Sequence, residues 1–329
     1  ICQIGTTPLI VRSSSLLEDN FGMAFAGKYT SYFCPNQGTL DQNLQALNEA
    51  VAGVYASVYS PDALFYRRQM GLLDYDERMA ILLQVVEGQR HGDYYYPSLA
   101  GVAYSRSPIV WNPRLRPEEG FVRLVMGLGT RAVERVGDDY PRLITLSHPM
   151  LRPEATPADI RRYAQRYADV IDLGNNTLAT VPVSALLNYD TPEVRWVASV
   201  DQGDTILPIM TLGPELADSR LVMTFENLLQ RTPFVKLMKD VLATLTEHYQ
   251  GLVDMEFAMD IQPGTRQPTV AFHLLQCRPQ TDLRNGTMRP VPALINAADR
   301  LFVANRMVPQ GHLADIGTIV YVDPRAYAA

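Results

Sequence analysis

Hydrophobic positions along the chain follow two repeat lengths, which predicts that helices and strands are interleaved. From Leu40 to Tyr59, apolar residues recur every three or four positions, the period of an amphipathic helix. A second stripe of the same period runs from Phe234 to Tyr249, and Gly251 is expected to close that helix. The continuous apolar run Met79–Val86 is typical of a strand buried on both faces. The pattern therefore indicates a chain of mixed α and β structure.

The remaining apolar runs are shorter and flank a less regular middle region. A helix is expected over Pro157–Ile171, where Thr156 can cap the first turn. Past Thr281 the sequence reads as a linker, followed by a helix over Ala293–Ala304 and a β-prone run over Thr318–Val322. Strands are expected at Pro8–Arg12, Ala24–Phe33, Leu99–Tyr104, Phe121–Met126, Arg195–Val200 and Thr205–Leu212.

The composition fits a large folded unit and excludes several classes of protein. At 329 residues, 47% hydrophobic and 19% charged, the chain can bury an extensive core as one large domain or two smaller ones. No apolar stretch reaches the roughly 18 residues that span a bilayer, so we expect no membrane role beyond a peripheral one. A net charge of -6 argues against nucleic acid as a partner. Three scattered cysteines favour a reducing, cytoplasmic compartment.

Candidate chemistry lies in a predicted β-hairpin near residue 260. The strand period of two puts Asp254 and Glu256 on one face of the first strand, and it puts Gln276 and Arg278 together on the returning strand. With the turn centred between Gly264 and Thr265, Gln276 is expected opposite Asp254 and diagonal to Glu256. One face of the hairpin then carries two carboxylates, one amide oxygen and one guanidinium.

This combination of side chains is suited to a metal-bound nucleotide. Carboxylate and amide oxygens are ligands for a hard cation such as Mg²⁺, and an arginine fork matches phosphate oxygens. The alternative interpretation is a solvent-exposed polar face whose charges pair with each other. Spacing alone leaves both interpretations open.

Five motifs follow one another along the chain: Val11–Ser14 with Glu18-Asp19 and Phe25–Gly27, then Ala100–Ser105, Gly127–Gly129, Glu247–Tyr249 with Asp254–Ala258, and Leu275–Thr281. In this order they resemble the N-terminal ATP-binding domain of phosphoenolpyruvate synthase and pyruvate phosphate dikinase. The resemblance implies an α+β fold of the ATP-grasp type, with two lobes, mixed β-sheets and flanking helices, that holds ATP and Mg²⁺ between its lobes. It also implies transfer of phosphoryl groups to a histidine on a separate swivelling domain, which later phosphorylates pyruvate in a third domain.

The resemblance also implies site roles. Arg12 and Arg278 would be the catalytic residues, with Arg12 on the ATP phosphates; Glu256 and Gln276 would hold Mg²⁺, while Asp254 and Arg278 would orient the metal and the phosphates. Backbone groups near Gln84 and Val86 would contact the adenine.

Three neighbouring features of the resemblance have weaker assignments. The Ser13–Gly22 loop would cover the phosphates, with Gly22 as its hinge. Lys28 is interpreted as a surface lysine rather than a phosphate ligand. Gly127–Gly129 is either a short functional glycine motif or simply a tight strand-to-helix turn.

The matched motifs set the expected domain boundaries. Because the chain begins at Ile1 within a domain, we interpret it as an excised piece that lacks its N-terminal segment and that segment's phosphate-binding lysine. Residues 1–281 are expected to form the nucleotide-binding domain, with a subdomain or insertion at 150–229. Residues 282–329 are expected to be a linker and the start of a following domain.

Two other classes of function stay open at this stage. None of the five histidines lies in a phosphocarrier motif, so the segment is not expected to release a phosphorylated product by itself. It could be a regulatory ATP-binding domain, or part of a related phosphotransferase with an antibiotic, a glucan or another non-pyruvate acceptor. A carboxylate–amine ligase of the ATP-grasp type would share the metal face but not the Val11–Ser14 and Gln276–Pro279 motifs. The acceptor and the oligomeric state do not follow from the sequence.

Overall fold

The computed structural model describes most of the chain up to residue 280. The described residues are 5–18, 27–133, 136–187, 191, 193–213, 220–262 and 268–280, with 296, 298, 317, 318 and 320. The expected elements at Ala293–Ala304 and Thr318–Val322, and the expected linker before them, lie outside the described ranges.

Helices and strands alternate along the described chain. The helices are α1 (Leu40–Ser57), α2 (Pro61–Gln69), α3 (Thr130–Val133), α4 (Pro157–Arg162), α5 (Val183–Leu186), α6 (Val194–Val197), α7 (Glu226–Arg231) and α8 (Phe234–Tyr249). The strands are β1 (Leu9–Ser15), β2 (Tyr32–Cys34), β3 (Met79–Val85), β4 (Gln89–His91), β5 (Tyr94–Tyr96), β6 (Leu99–Tyr104), β7 (Phe121–Val125), β8 (Arg142–Thr145), β9 (Tyr167–Asp172), β10 (Thr177–Pro182), β11 (Ala198–Asp201), β12 (Ile206–Pro208), β13 (Leu221–Met223), β14 (Val253–Gln262) and β15 (Thr269–Pro279).

The strands form four sheets with orders β2-β1-β3, β10-β9-β5-β4, β12-β11-β13 and β15-β14-β6-β7-β8. Every strand pairing between described residues is antiparallel, so the expectation of mixed sheets is corrected in that detail. The α+β class is confirmed. None of the helices in the described part of the chain is long and apolar enough to cross a membrane.

The main hydrophobic core joins the five-stranded sheet to α8. Val253, Met255 and Phe257, from one face of β14, share a buried cluster with Met238 and Leu242 of α8. Alternation along the strand then directs Asp254 and Glu256 to the opposite face. The amphipathic stripe of α8 therefore determines which face of β14 stays polar.

The two long predicted helices form as expected, with one correction at a terminus. The first occupies Leu40–Ser57, and its N-terminus carries a capping box in which Thr39 and Gln42 each bond the other's backbone. The second ends at Tyr249, but its last turn is closed by Gln250 in the left-handed region at φ 53°, and not by Gly251.

Several strand and helix boundaries differ from the sequence-based expectations. The helix expected to reach Ile171 ends at Arg162, because residues 167–172 pair with β10 and residues 171 and 172 also pair with β5. β3 is not buried on both faces: Leu82 and Leu83 are 46% and 49% exposed, since β3 lies at the edge of its sheet.

Three further boundaries also move. The predicted loop from Ser13 begins three residues later, because β1 runs on to Ser15 beside β3. Of the described part of Ala24–Phe33, only Tyr32 and Phe33 are in a strand. Residues 194–197 form a helical turn before β11 begins at Ala198.

A close approach in the five-stranded sheet gives a test of the packing. A Cβ at Gly101 would lie 2.3 Å from the Arg123 carbonyl oxygen and 3.0 Å from the Phe257 ring. We expect Gly101→Ala to lower the free energy of unfolding by about 1–3 kcal/mol, because β6 is held between two neighbouring strands and cannot move aside. Urea unfolding measures this change.

The matched control is Gly129→Ala, because an added Cβ there makes only an ordinary 3.5 Å contact with Ala100. Equal losses of stability in the two variants would contradict the packing argument.

Candidate functional site

The site begins with the hairpin of β14 and β15. Asp254 pairs with Arg278 and Glu256 with Gln276, and a β-bulge follows between Glu256 and Phe257. The predicted register, with Gln276 opposite Asp254, is therefore wrong by two residues. The predicted face is right, because a shift of two preserves the alternation of side chains.

A third strand brings Arg12 to this hairpin. Leu9 and Val11 on β1 pack in a buried cluster with α1, so strand alternation directs Arg12 to the other face of its sheet. There its Nη2 donates to Glu256 Oε2 at 2.7 Å and to Gln276 Oε1 at 2.6 Å. One guanidinium thus joins the three-stranded sheet to the hairpin, across more than 240 residues of sequence.

The second arginine binds the same carboxylate from the hairpin itself. Arg278 Nε donates to Asp254 Oδ1 at 3.3 Å, and its Nη2 lies 3.7 Å from Glu256 Oε1. The two oxygens of Glu256 therefore face two different arginines. All four charged side chains are between 13% and 21% exposed, so solvent screening of these contacts is reduced.

Burial and charge act in opposite directions on this cluster. Burial lowers the pKa of Arg278, but attraction to Asp254 and Glu256 and the hydrogen bond to Asp254 outweigh it and raise that pKa. Burial raises the pKa of Asp254, and Arg278 only partly offsets this effect. Arg278 thus remains a cation, and its charge opposes the effect of burial on the pKa of Asp254.

A cavity of about 390 Å³ opens beside this cluster, a size within the roughly 300–1,000 Å³ of small-molecule sites. Ser14 and Glu18 belong to the loop that was expected to cover the phosphates, whereas Leu82 and Tyr249 were not expected at the site. Tyr249 lies in a matched motif, which is a signal that could have identified it; Leu82 has no such signal. The lining residues are Arg12, Ser13, Ser14, Glu18, Leu82, Tyr249, Gln276, Cys277 and Pro279.

The two residues predicted near the adenine have different surroundings. Gln84 Nε2 donates to the Leu275 carbonyl at 3.3 Å, so this residue reaches the site hairpin. The N–H of Val86 donates to Pro8 O at 2.9 Å, and its carbonyl accepts from the Tyr95 hydroxyl at 3.0 Å. The Val86 N–H is therefore already bonded within the protein, so it is not available to donate a hydrogen bond to the adenine as expected.

Gly127–Gly129 forms a strand-to-helix turn between β7 and α3. Gly127 has φ +86°, and a Cβ there would lie 2.9 Å from the Asp169 carbonyl oxygen. Arg131, just beyond the turn, is buried between Asp139 at 2.8 Å and Asp169 at 3.0 Å. The positive φ and the close approach to Asp169 give Gly127 a structural reason for its presence.

Two further residues singled out in the sequence are Lys28 and Gly22. Lys28 Nζ lies 5.7 Å from the centre of the Tyr66 ring, which is a cation–π contact. Gly22 lies outside the described residues.

The donor set fits a hard cation completed by phosphate oxygens. Within the described ranges, no three His, Cys, Asp or Glu side chains are grouped so as to hold a metal. However, the Glu256 carboxylate and the Gln276 amide oxygen converge on a single positively charged nitrogen of Arg12. Mg²⁺ typically takes one or two protein oxygens and keeps water and phosphate as its other ligands.

Comparison with known protein families finds a match over most of the chain. The model for the pyruvate phosphate dikinase AMP/ATP-binding domain matches residues 1–297, about nine-tenths of the chain.

The joint between the two sheets can be tested by a double-mutant cycle. We expect Arg12→Ala and Glu256→Ala to be coupled by about 1–2 kcal/mol in the free energy of unfolding, because the contact is short, charged and mostly buried. Chemical denaturation of the two single variants and the double variant measures this coupling.

The control cycle uses Arg78 and Asp76, an ion pair at 2.9 Å whose side chains are 83% and 77% exposed. This pair should show no measurable coupling. A coupling as small for Arg12 and Glu256 would mean that Arg12 does not hold the two sheets together.

Proposed function

The chain belongs to the family of the pyruvate phosphate dikinase AMP/ATP-binding domain, and we propose that it binds Mg-ATP and transfers phosphoryl groups to a histidine on a separate swivelling domain. The observation that carries this proposal is the contact of Arg12 with both Glu256 and Gln276. Residues from two distant motifs meet there, beside a cavity large enough for a small molecule.

In this proposal, Arg12 and Arg278 are the catalytic arginines and bind the phosphates of ATP. Guanidinium groups present several donors in a fixed plane and form paired hydrogen bonds with phosphate oxygens. Arg12 lines the cavity directly, and Arg278 lies on the same face of the hairpin. Asp254 accepts from Nε of Arg278 and so fixes the plane of that guanidinium.

Glu256 and Gln276 would hold Mg²⁺. Their oxygens lie opposite each other on paired strands, and both already face a positive group. The chemistry that Mg²⁺ supplies when bound is neutralisation of phosphate charge.

Phosphoryl transfer requires mainly positioning and charge stabilisation from the protein. Both oxygens of Glu256 have arginine neighbours, at 2.7 Å and 3.7 Å, so the carboxylate is oriented before a ligand arrives. Gln84, from β3, binds the hairpin backbone and supports the adenine side of the site. The expected role of this chain is therefore to hold ATP in place for an acceptor that approaches from outside.

A regulatory ATP-binding domain is the second candidate. It would use the same arginines and the same cavity but would not transfer a phosphoryl group. The observation that favours it is that Glu256 and Gln276 are satisfied by Arg12 within the protein itself. Transfer to a non-pyruvate acceptor is a variant of the first proposal, because the proposed site would contact only the donor nucleotide.

The binding half of the proposal predicts Mg²⁺-dependent affinity for nucleotide. Calorimetric titration with a non-hydrolysable ATP analogue should show weak binding that strengthens at least about tenfold with Mg²⁺. Glu256→Gln should remove most of that strengthening, because the carboxylate charge is lost while a hydrogen-bond acceptor remains. The control is Glu118→Gln, an exposed carboxylate outside the site cavity. Unchanged Mg²⁺ dependence in Glu256→Gln would remove the metal role.

The transfer half predicts an acid-labile, base-stable phosphohistidine. Radiolabelled ATP and Mg²⁺ are mixed with this chain and an added swivelling domain of the family, and label should move to the added domain. Arg278→Ala should depress this transfer far more than it lowers the melting temperature. Label that stays on this chain or survives acid would exclude the phosphohistidine route. Nucleotide binding with no transfer would favour the regulatory candidate instead.

A further inference from the structure

A second cavity, of about 490 Å³, lies away from the hairpin site. It is bounded by α4, the segment that leads into β9, the start of α5, and β13 with the residue before it. The two cavities share no lining residue. Nothing in the nucleotide-binding proposal uses this cleft.

Its charge is unusual for this protein. Four arginines line the cleft, at positions 161, 162, 166 and 220, and no aspartate or glutamate lines it. The neighbouring Asp201 lies 3.2 Å from Arg161 and 3.5 Å from Arg220, so one carboxylate faces two guanidinium groups. Among the described residues, Arg162 and Arg166 have no carboxylate partner within ion-pair distance. A local excess of positive charge thus forms in a chain of net charge -6.

The backbone that presents these arginines is held in place. The N–H of Arg166 donates to Asp139 Oδ1 at 2.6 Å, and its carbonyl accepts from the Val183 N–H at 2.8 Å. The carbonyl of Arg220 accepts from the N–H of Asp201 at 2.8 Å. Arg161 donates from both terminal nitrogens to the Gly203 carbonyl, at 2.8 and 2.7 Å. The backbone that carries these arginines, and the Arg161 side chain, are therefore held by contacts within the protein before any ligand binds.

The floor between the arginines is equally fixed and partly apolar. Gln165, 4% exposed, exchanges hydrogen bonds of 2.8 and 2.9 Å with the backbone N–H and carbonyl of Met126. Val183 and Leu221 supply apolar surface in the same cleft. A ligand with one anionic end and one apolar end matches this distribution.

We propose that this cleft binds an organic phosphomonoester, with its phosphate on Arg162, Arg166 and Arg220 and its organic part against Val183 and Leu221. A phosphomonoester carries a charge of about -1.5 to -2 near pH 7, which matches the positive charge left after Asp201 is paired. Arginine forks bind phosphate oxygens in pairs, and the apolar wall favours an ester over the free ion.

The test uses phenyl phosphate and inorganic phosphate in calorimetry at about 0.15 M salt, where non-specific attraction is screened. Both titrations use the full, unaltered chain, and variants of the cleft separate binding in this cleft from binding in the hairpin cavity. Phenyl phosphate should bind saturably and at least about tenfold more tightly than inorganic phosphate. Equal affinity for the two would overturn the proposed ester, and no saturable binding of phenyl phosphate would overturn the site.

Variants of the cleft complete the experiment. Arg162→Gln with Arg166→Gln should weaken phenyl phosphate binding at least about tenfold, because two charge-assisted contacts are lost. Both side chains are exposed and neither pairs with a carboxylate among the described residues, so the melting temperature should hardly change. The control is Arg114→Gln, an exposed arginine that lines neither cavity. Equal weakening by the control would show that general charge, and not this cleft, binds the probe.

Discussion

The architecture of the site depends on one guanidinium, that of Arg12. Its Nη2 lies within 2.7 Å of a carboxylate oxygen and an amide oxygen that belong to another sheet. Two partly buried oxygens so close to one point would be unfavourable without a positive group between them. The position therefore has to be positively charged, by Arg12 or by a cation, and this requirement gives the face its chemistry. It also makes the joint between the two sheets depend on charge rather than on apolar packing.

The hairpin meets this requirement because the two faces of β14 are used differently. Met255 and Phe257 are buried in the core shared with α8, so Glu256 must point the other way. The β-bulge that follows places Leu275 as an extra residue on β15, between the partners of Glu256 and Phe257. The carbonyl of Leu275 accepts from Gln84 on β3. The bulge in the pairing of β14 with β15 thus provides a second contact between the same two sheets.

Much of the hairpin site could be predicted from sequence because strand alternation is local. It places Asp254 with Glu256 and Gln276 with Arg278, whatever the register. The register itself could not be predicted for two reasons. The bulge leaves no trace in the hydrophobic pattern and shifts the pairing by one residue; the other residue comes from the turn, where Gln262 pairs with Thr269. Nor could the contact of Arg12 with the hairpin, which depends on how two sheets meet; only resemblance placed that residue in the site.

The predictions from sequence that were wrong have a related cause. A local sequence pattern does not show which other elements pack against that segment. Residues 167–171 fit a helical pattern that begins at Pro157, but pairing with β10 and β5 makes them a strand. The apolar run of β3 suggested burial on both faces, yet it forms a sheet edge with exposed leucines. The arginine cleft has no local signature, because α4 and β13 come together only in the folded chain.

The hairpin cavity and the arginine-lined cleft both use arginine rather than lysine. The chain has 26 arginines and three lysines, and each lysine has another contact: Lys28 with Tyr66, Lys236 with Asp240 and Lys239 with Glu119. Arginine can bind the protein through some of its donors and still offer others, as a planar group of five N–H bonds allows. Arg278 uses Nε for Asp254 and directs Nη2 toward Glu256, and Arg220 directs Nε toward Asp201 from a side chain that is 73% exposed. Each cation is thus oriented by a carboxylate without being fully neutralised by it. Net charge describes the long-range field of this protein, but such half-engaged arginines determine where an anion can bind.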